Sequence, residues 1–122
     1  MTGTLTLPPT LERRLEHLTG GPADDHFEGL RRLVGEAEDS PAFELMATIC
    51  RVLSHPKRLL IAAMLKRCDA LTGAEIQAAL GLSQATVSHH MQALVQSGIV
   101  QARPDRKWVQ YRLDQRFGRL VP

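Results

Sequence analysis

A chain of 122 residues, 43% hydrophobic and 23% charged, is one domain's worth of polypeptide, with one modest core and no separate sensing domain. No run of about 18 apolar residues spans a bilayer, and the N-terminus lacks the basic, apolar and small-residue succession of a secretion signal, so a cytoplasmic protein without membrane contact is expected. The net charge of +2 hides an asymmetry, since residues 1–40 carry four Arg against eight Asp and Glu, while residues 83–122 carry six Arg and Lys against two Asp. A basic C-terminal part is suited to facing a polyanion.

In chain order, Thr10 is a candidate cap for a helix carrying Leu11, Leu15 and Leu18, closed by Gly20-Gly21. A second helix follows Pro22, with Asp24, Asp25 and Glu28 at its positive end and Phe27, Leu30, Leu33 and Val34 as its apolar residues. Ser40-Pro41 reads as a cap followed by a first-turn proline. The helix it opens has a broad apolar face of Leu45, Met46, Ile49, Cys50, Val52 and Leu53. Pro56 opens a further helix through Lys66, bearing Leu59, Leu60, Ala63, Met64 and Leu65.

From Thr72 onward the pattern becomes specific. Thr72 and Glu75 have capping-box spacing, Ile76 and Leu80 supply apolar contacts, and Gly81 is free to end the helix in a left-handed conformation. Leu82 anchors the turn, and Ser83 caps a second helix to about Ser97, with Val87, Met91, Leu94 and Val95 inward. Two short helices joined by a glycine-containing turn form a helix-turn-helix.

The outer face of the second helix presents Gln84, Ala85, Ser88, His89 and Gln92, and between Ser83 and Ser97 the only ionisable side chains are histidines. An ordinary solvated face usually carries Lys and Glu. Small hydrogen-bonding groups instead suit base edges, where Gln pairs with adenine and Ala meets a thymine methyl. After Gly98, the segments 99–103 and 108–113 read as a β-hairpin with Pro104 setting the turn and Arg103, Arg106 and Lys107 massing charge at the tip. In its second strand Val109, Tyr111 and Leu113 share one face and Trp108, Gln110 and Arg112 the other. A basic hairpin directly after such a helix is a wing that grips sugar-phosphate or reaches the minor groove. The fold expected is mainly α with a small β-hairpin: a winged helix-turn-helix over 41–122, preceded by an N-terminal helical extension over 1–40.

The strings LSHPKRLLIAAML, GLSQATVSHHMQALVQSGIV and RKWVQYRL, within Leu53 to Leu113, resemble the ArsR/SmtB family of winged-helix repressors. The resemblance implies a homodimer on a palindromic double-stranded DNA operator, released by an effector. It also implies that Gln84, Thr86, Ser88 and His89 read the operator and that Arg106 and Lys107 sit on the wing. Two departures remove familiar sensor sites. Thr72 and Ala74 stand where metal-sensing members have a Cys-x-Cys pair, and the ending LDQRFGRLVP has Asp114 but no His for a C-terminal zinc site, so no metal is expected. The short ending also lacks most of the usual dimer helix, which shifts that role to residues 1–40.

Cys50 shares a helical face with Met46 and Leu53, where a free cysteine acts as a small core hydrophobe. Cys68 follows Lys66 and Arg67, a setting for a reactive thiol. The two cysteines are therefore candidates for a thiol switch, alongside a thiol-bound metal or metalloid or an unrelated small effector. Adjacent His89 and His90 point about 100° apart and make poor co-ligands; His89 suits DNA and His90 suits packing. His55 is explained as the residue before Pro56. No glycine-rich phosphate loop, activated serine or supported acid pair is present, which argues against an enzyme and against a cofactor. The rival to DNA reading is a winged helix used only for protein interaction.

Overall fold

A computed structural model describes residues 8–19 and 23–122. The elements are α1 (Pro9–Thr19), α2 (Ala23–Glu38), α3 (Pro41–Leu53), α4 (Pro56–Arg67), β1 (Leu71–Thr72), α5 (Gly73–Leu80), α6 (Gln84–Gln96), β2 (Val100–Asp105), β3 (Trp108–Leu113) and a 3-10 turn, Gln115–Phe117. The described residues through Leu45 form one compact unit and Met46–Pro122 form another, so the break falls inside α3.

In the first unit α1 starts at Pro9, and Pro8 accepts the first helical hydrogen bonds from Leu11 and Glu12 at 3.0 Å. Thr10 therefore lies within the first turn and does not cap it, because Pro9 supplies a preset helical φ at no hydrogen-bond cost. The expected Gly20-Gly21 stop falls outside the described residues. On α2, Arg31 lies 4.9 Å over the Phe27 ring and pairs with Glu28 at 3.4 Å, while Leu30, Leu33 and Val34 stay exposed.

The core of the second unit is built from Ile49, Ile61, Leu65, Ile76, Val87, Met91, Leu94, Ile99 and Val100, closed by Phe117 and Val121. Of α3, α4 and α5, each buries a narrower stripe than its sequence offers. On α3 only Ile49 is buried, while Leu45, Met46 and Cys50 are exposed. Cys50 thus departs from its expected core role: one residue past Ile49, it is rotated by about 100° onto the outward stripe of Phe43 and Met46.

The sheet has three antiparallel strands in the order β1-β3-β2. β1 pairs Leu71 with Tyr111 and Thr72 with Gln110, and β2 pairs Val100 with Leu113 through to Asp105 with Trp108. The sequence pattern did not reveal β1, whose second residue, Thr72, is also the α5 cap. Pro104, expected in the turn, lies within β2 opposite Val109. β2 is an edge strand, where a missing N–H costs no ladder bond on the open side. The turn is instead the two residues Arg106 and Lys107 between paired Asp105 and Trp108.

Candidate nucleic-acid interface

Hydrogen bonds at two helix starts orient the helix-turn-helix. Glu75 N–H donates to Thr72 Oγ1 at 3.2 Å, and Thr72 N–H donates to Glu75 Oε1 at 2.9 Å, completing the capping box of α5. Gly81 ends that helix at φ 66°, a left-handed conformation that side chains resist. Ser83 then starts α6 by accepting from Thr86 N–H at 3.2 Å, and its own hydroxyl donates to Thr86 Oγ1 at 2.8 Å. Gly98, at φ 81°, turns the chain out of α6 toward β2.

The caps set where α6 begins, and burial of its apolar stripe sets which side faces outward. Val87, His90, Met91 and Leu94 are buried, whereas Gln84, Ala85, Thr86, Ser88, His89 and Gln92 are all exposed. The outer face is therefore as the sequence predicts: polar, small and free of fixed charge. Its groups are free to donate to and accept from base edges without Lys or Arg drawing them to any phosphate.

Arg103, Arg106 and Lys107 are exposed on the wing, but they do not share one surface. Lys107 lines a cleft of about 300 Å³ together with Gln77 of α5, Gln84 and Ser88 of α6, and Trp108 and Tyr111 of β3. Arg103 lines a different depression with Asp105, Gln110 and Arg112, where Arg112 also lies 3.4 Å from Asp69. The register explains the split: Arg103 opposes Gln110, whereas Ala102 opposes Tyr111, so Arg103 and Tyr111 project from opposite faces of the sheet.

Trp108 was expected beside Gln110 and Arg112, yet it joins the cleft lining with Val109 and Tyr111. It is the first residue after the turn, where the twist of a two-stranded ribbon is greatest and face assignment by alternation is weakest. Its indole is 57% exposed, which makes it an interface candidate the sequence reading missed. The available signal was its place directly after Arg106 and Lys107.

Arg106 holds φ 58°, the only positive φ outside glycine among the described residues. It occupies the first central position of the turn, where a II′ turn favours glycine. A cation thus stands at the wing tip despite its conformational cost.

Cys50 and Cys68 are both exposed free thiols. Cys68 follows α4 directly, and its N–H donates to the Met64 carbonyl at 2.9 Å. Among the described residues no group of three or more His, Cys, Asp or Glu is placed to hold a metal ion. No described helix is long and apolar enough to cross a membrane.

A helix-turn-helix domain family matches residues 53–101. The biofilm growth-associated repressor of Agrobacterium fabrum is 35% identical over 86 residues, which cover 66% of this chain and 73% of that protein. The arsenical resistance operon repressor of Staphylococcus xylosus is 34% identical over 76 residues, covering 62% of this chain and 72% of that protein. Among solved structures, the homodimeric winged helix-turn-helix DNA-binding domain Mb0332 of Mycobacterium bovis superposes with a TM-score of 0.60 at 28% identity, over 65% of this chain and 73% of that one. With the capped reading helix, the wing and these relatives together, the chain belongs to the ArsR/SmtB family of winged helix-turn-helix transcriptional regulators.

Proposed function

We propose that this DNA-binding regulator is a repressor that acts as a homodimer on a palindromic operator and is released by an effector. The observation carrying the reading is the uncharged outer face of α6 meeting wing cation Lys107 and Trp108 across one cleft that includes Gln84 and Ser88. In this reading Gln84, Ala85, Thr86, Ser88, His89 and Gln92 face the base edges, while Arg103, Arg106 and Lys107 hold the backbone and set register.

Dimerisation is supported by apolar surface that one chain leaves uncovered. Leu30, Leu33 and Val34 form an exposed stripe on α2, with exposures of 42%, 61% and 55%. Residues 1–40 supply the dimer surface in this reading, and residues 41–122 the DNA-binding domain. Both cysteines being exposed supports a thiol-reactive effector, since either sulfur is open to reagents.

The test is selection of bound duplexes from a random pool by the purified, reduced protein. The expected product is an inverted repeat whose half-sites lie about 34–36 Å apart, bound less tightly as salt rises because counterions are released. Recovery of unenriched sequence would refute operator reading. Enrichment of a single, non-repeated half-site would refute the dimer.

A further inference from the structure

His90 is the one buried polar or charged side chain among the described residues, at 5% exposure. It lies on the inner side of α6, next to outward-facing His89, and Arg58 near the start of α4 donates from Nε to its Nδ1 at 3.2 Å. An arginine does not give up its proton in a protein. Nδ1 must therefore be the bare acceptor nitrogen, so the ring is neutral with its proton on Nε2. The His55 ring, on the residue preceding α4, meets His90 edge-on at 4.6 Å between centroids, and the His89 ring lies 5.9 Å away.

We propose that Arg58 and His90 form a positioning pair for operator reading: the neutral ring, gripped by Arg58, fixes how α6 presents its outer face, and protonation of His90 releases that grip. The proposal rests on the DNA-reading assignment above.

The surroundings favour the neutral state. α4, α5 and β2 pack against α6 and carry Lys57, Arg58, Lys66, Arg67, Glu75, Arg103 and Asp105. Of these, and of the histidines, only His55, Arg58 and His89 bear on the ring, and no carboxylate compensates them. Burial first, then His55, Arg58 and His89, hold the His90 pKa below 6.5. A proton taken up by His90 occupies the lone pair that accepts from Arg58, and it places a positive charge on a buried ring directly against that guanidinium. The released state binds that proton and the gripped state does not, so acid favours release.

The sign separates this device from ordinary surface histidine behaviour. A proton gained by a histidine on a DNA-facing surface adds positive charge opposite the phosphates and favours binding; protonating His90 loosens it. Affinity of the full chain for a duplex recovered by selection is measured at about pH 7.5 and about pH 5.5 at fixed ionic strength, over the interval in which histidine titrates. The wild type is expected to bind about three- to tenfold more weakly at the lower pH, within the tenfold per pH unit that one coupled proton allows. His90→Asn places an amide oxygen near the Nδ1 position without a titrating group, and is expected to bind within about twofold of wild type at neutral pH and to lose the acid effect. His89→Asn is expected to keep the acid effect. Wild-type binding that is flat or tighter in acid, or an acid loss that survives His90→Asn, overturns the proposal.

Should His90→Asn fail to fold, imidazole nitrogen NMR of the wild type decides. A neutral His90 with its proton on Nε2, lost over the same pH interval as affinity, is expected; a proton on Nδ1 at neutral pH overturns the pair. If no duplex binds at either pH, the DNA-reading assignment falls and the proposal with it, whereas a bound but pH-indifferent duplex removes the proposal alone.

Discussion

Lys66 donates from Nζ to the backbone carbonyl of Val121 at 2.8 Å, tying the C-terminal tail to α4 across 55 residues. The tail is part of the core, because Val121 and Phe117 are only 2% and 6% exposed. Phe117→Ala is expected to cost about 3 kcal/mol by urea unfolding, as for other large-to-small changes in a core. Lys66→Met is expected to cost about 1 kcal/mol, the net worth of one hydrogen bond. A Phe117→Ala variant as stable as wild type would show that the tail does not seal the core.

Arg106 ties wing function to backbone strain, since it keeps φ 58° at the turn position glycine prefers. Arg106→Gly is expected to leave stability unchanged or raise it by up to about 1 kcal/mol, strain relief being partly offset by glycine's greater unfolded-state entropy. The same change should weaken all DNA sequences similarly and lower the slope of log affinity against log salt by about 1. Stability and binding moving down together would mean that Arg106 serves the fold rather than the phosphate backbone.

Asp114 ties the end of β3 to the tail: its carboxylate accepts from Arg116 N–H at 2.9 Å, Arg116 Nε at 3.0 Å and Gln101 Nε2 at 2.9 Å. The Arg116 side-chain hydrogen bond is the leading reason that its pKa is held below 3.8. The folded chain thus prefers the ionised carboxylate more than the unfolded chain does. Its contribution is present in full above pH 3.8, the value of the unfolded chain, and is lost as acid carries the pH from there down through the lower folded-state value. The stability gap between wild type and Asp114→Asn should therefore narrow steadily on acidification toward about pH 3 in urea titrations. A gap independent of pH would contradict this.

Much of the reading unit was legible because its signals are local. Thr72 with Glu75, Gly81 and Ser83 each act on backbone groups within a few residues, and Val87, Met91 and Leu94 repeat at helical spacing, so no distant contact was needed to place α5 and α6. What failed depends on partners far along the chain. β1 exists only because Leu71 and Thr72 meet Tyr111 and Gln110, and two residues carry no period. Pro104 looked like a turn former until the register made it an edge-strand residue. Cys50 reads as a core residue because α3 is apolar over a wider arc than one chain covers, and sequence alone does not tell which part of that arc is Ile49's side. The separation of Arg103 from the cleft of Gln84, Ser88 and Lys107 follows from strand register, and the place of Trp108 in that cleft from the twist beside the turn, neither of which composition carries.

His55 does more than precede Pro56. Its side chain makes no cap hydrogen bond for α4, and its ring packs on His90 instead. Aromatic pairs of this geometry contribute about 0.5–1.5 kcal/mol beyond burial, so His55→Ala should lower the unfolding free energy by about 1 kcal/mol or more at neutral pH. An unchanged unfolding free energy would show the contact to be incidental.

Sequence reading by α6 is tested most directly by repeating the random-pool selection with Gln84→Ala beside the wild type. Base preference should relax at one symmetric pair of operator positions, by about 1–3 kcal/mol of discrimination, with the rest of the motif and its spacing intact. A motif unchanged at every position would contradict the assignment of Gln84 to a base edge, and unchanged motifs for Ser88→Ala and His89→Ala as well would remove α6 as the reading element.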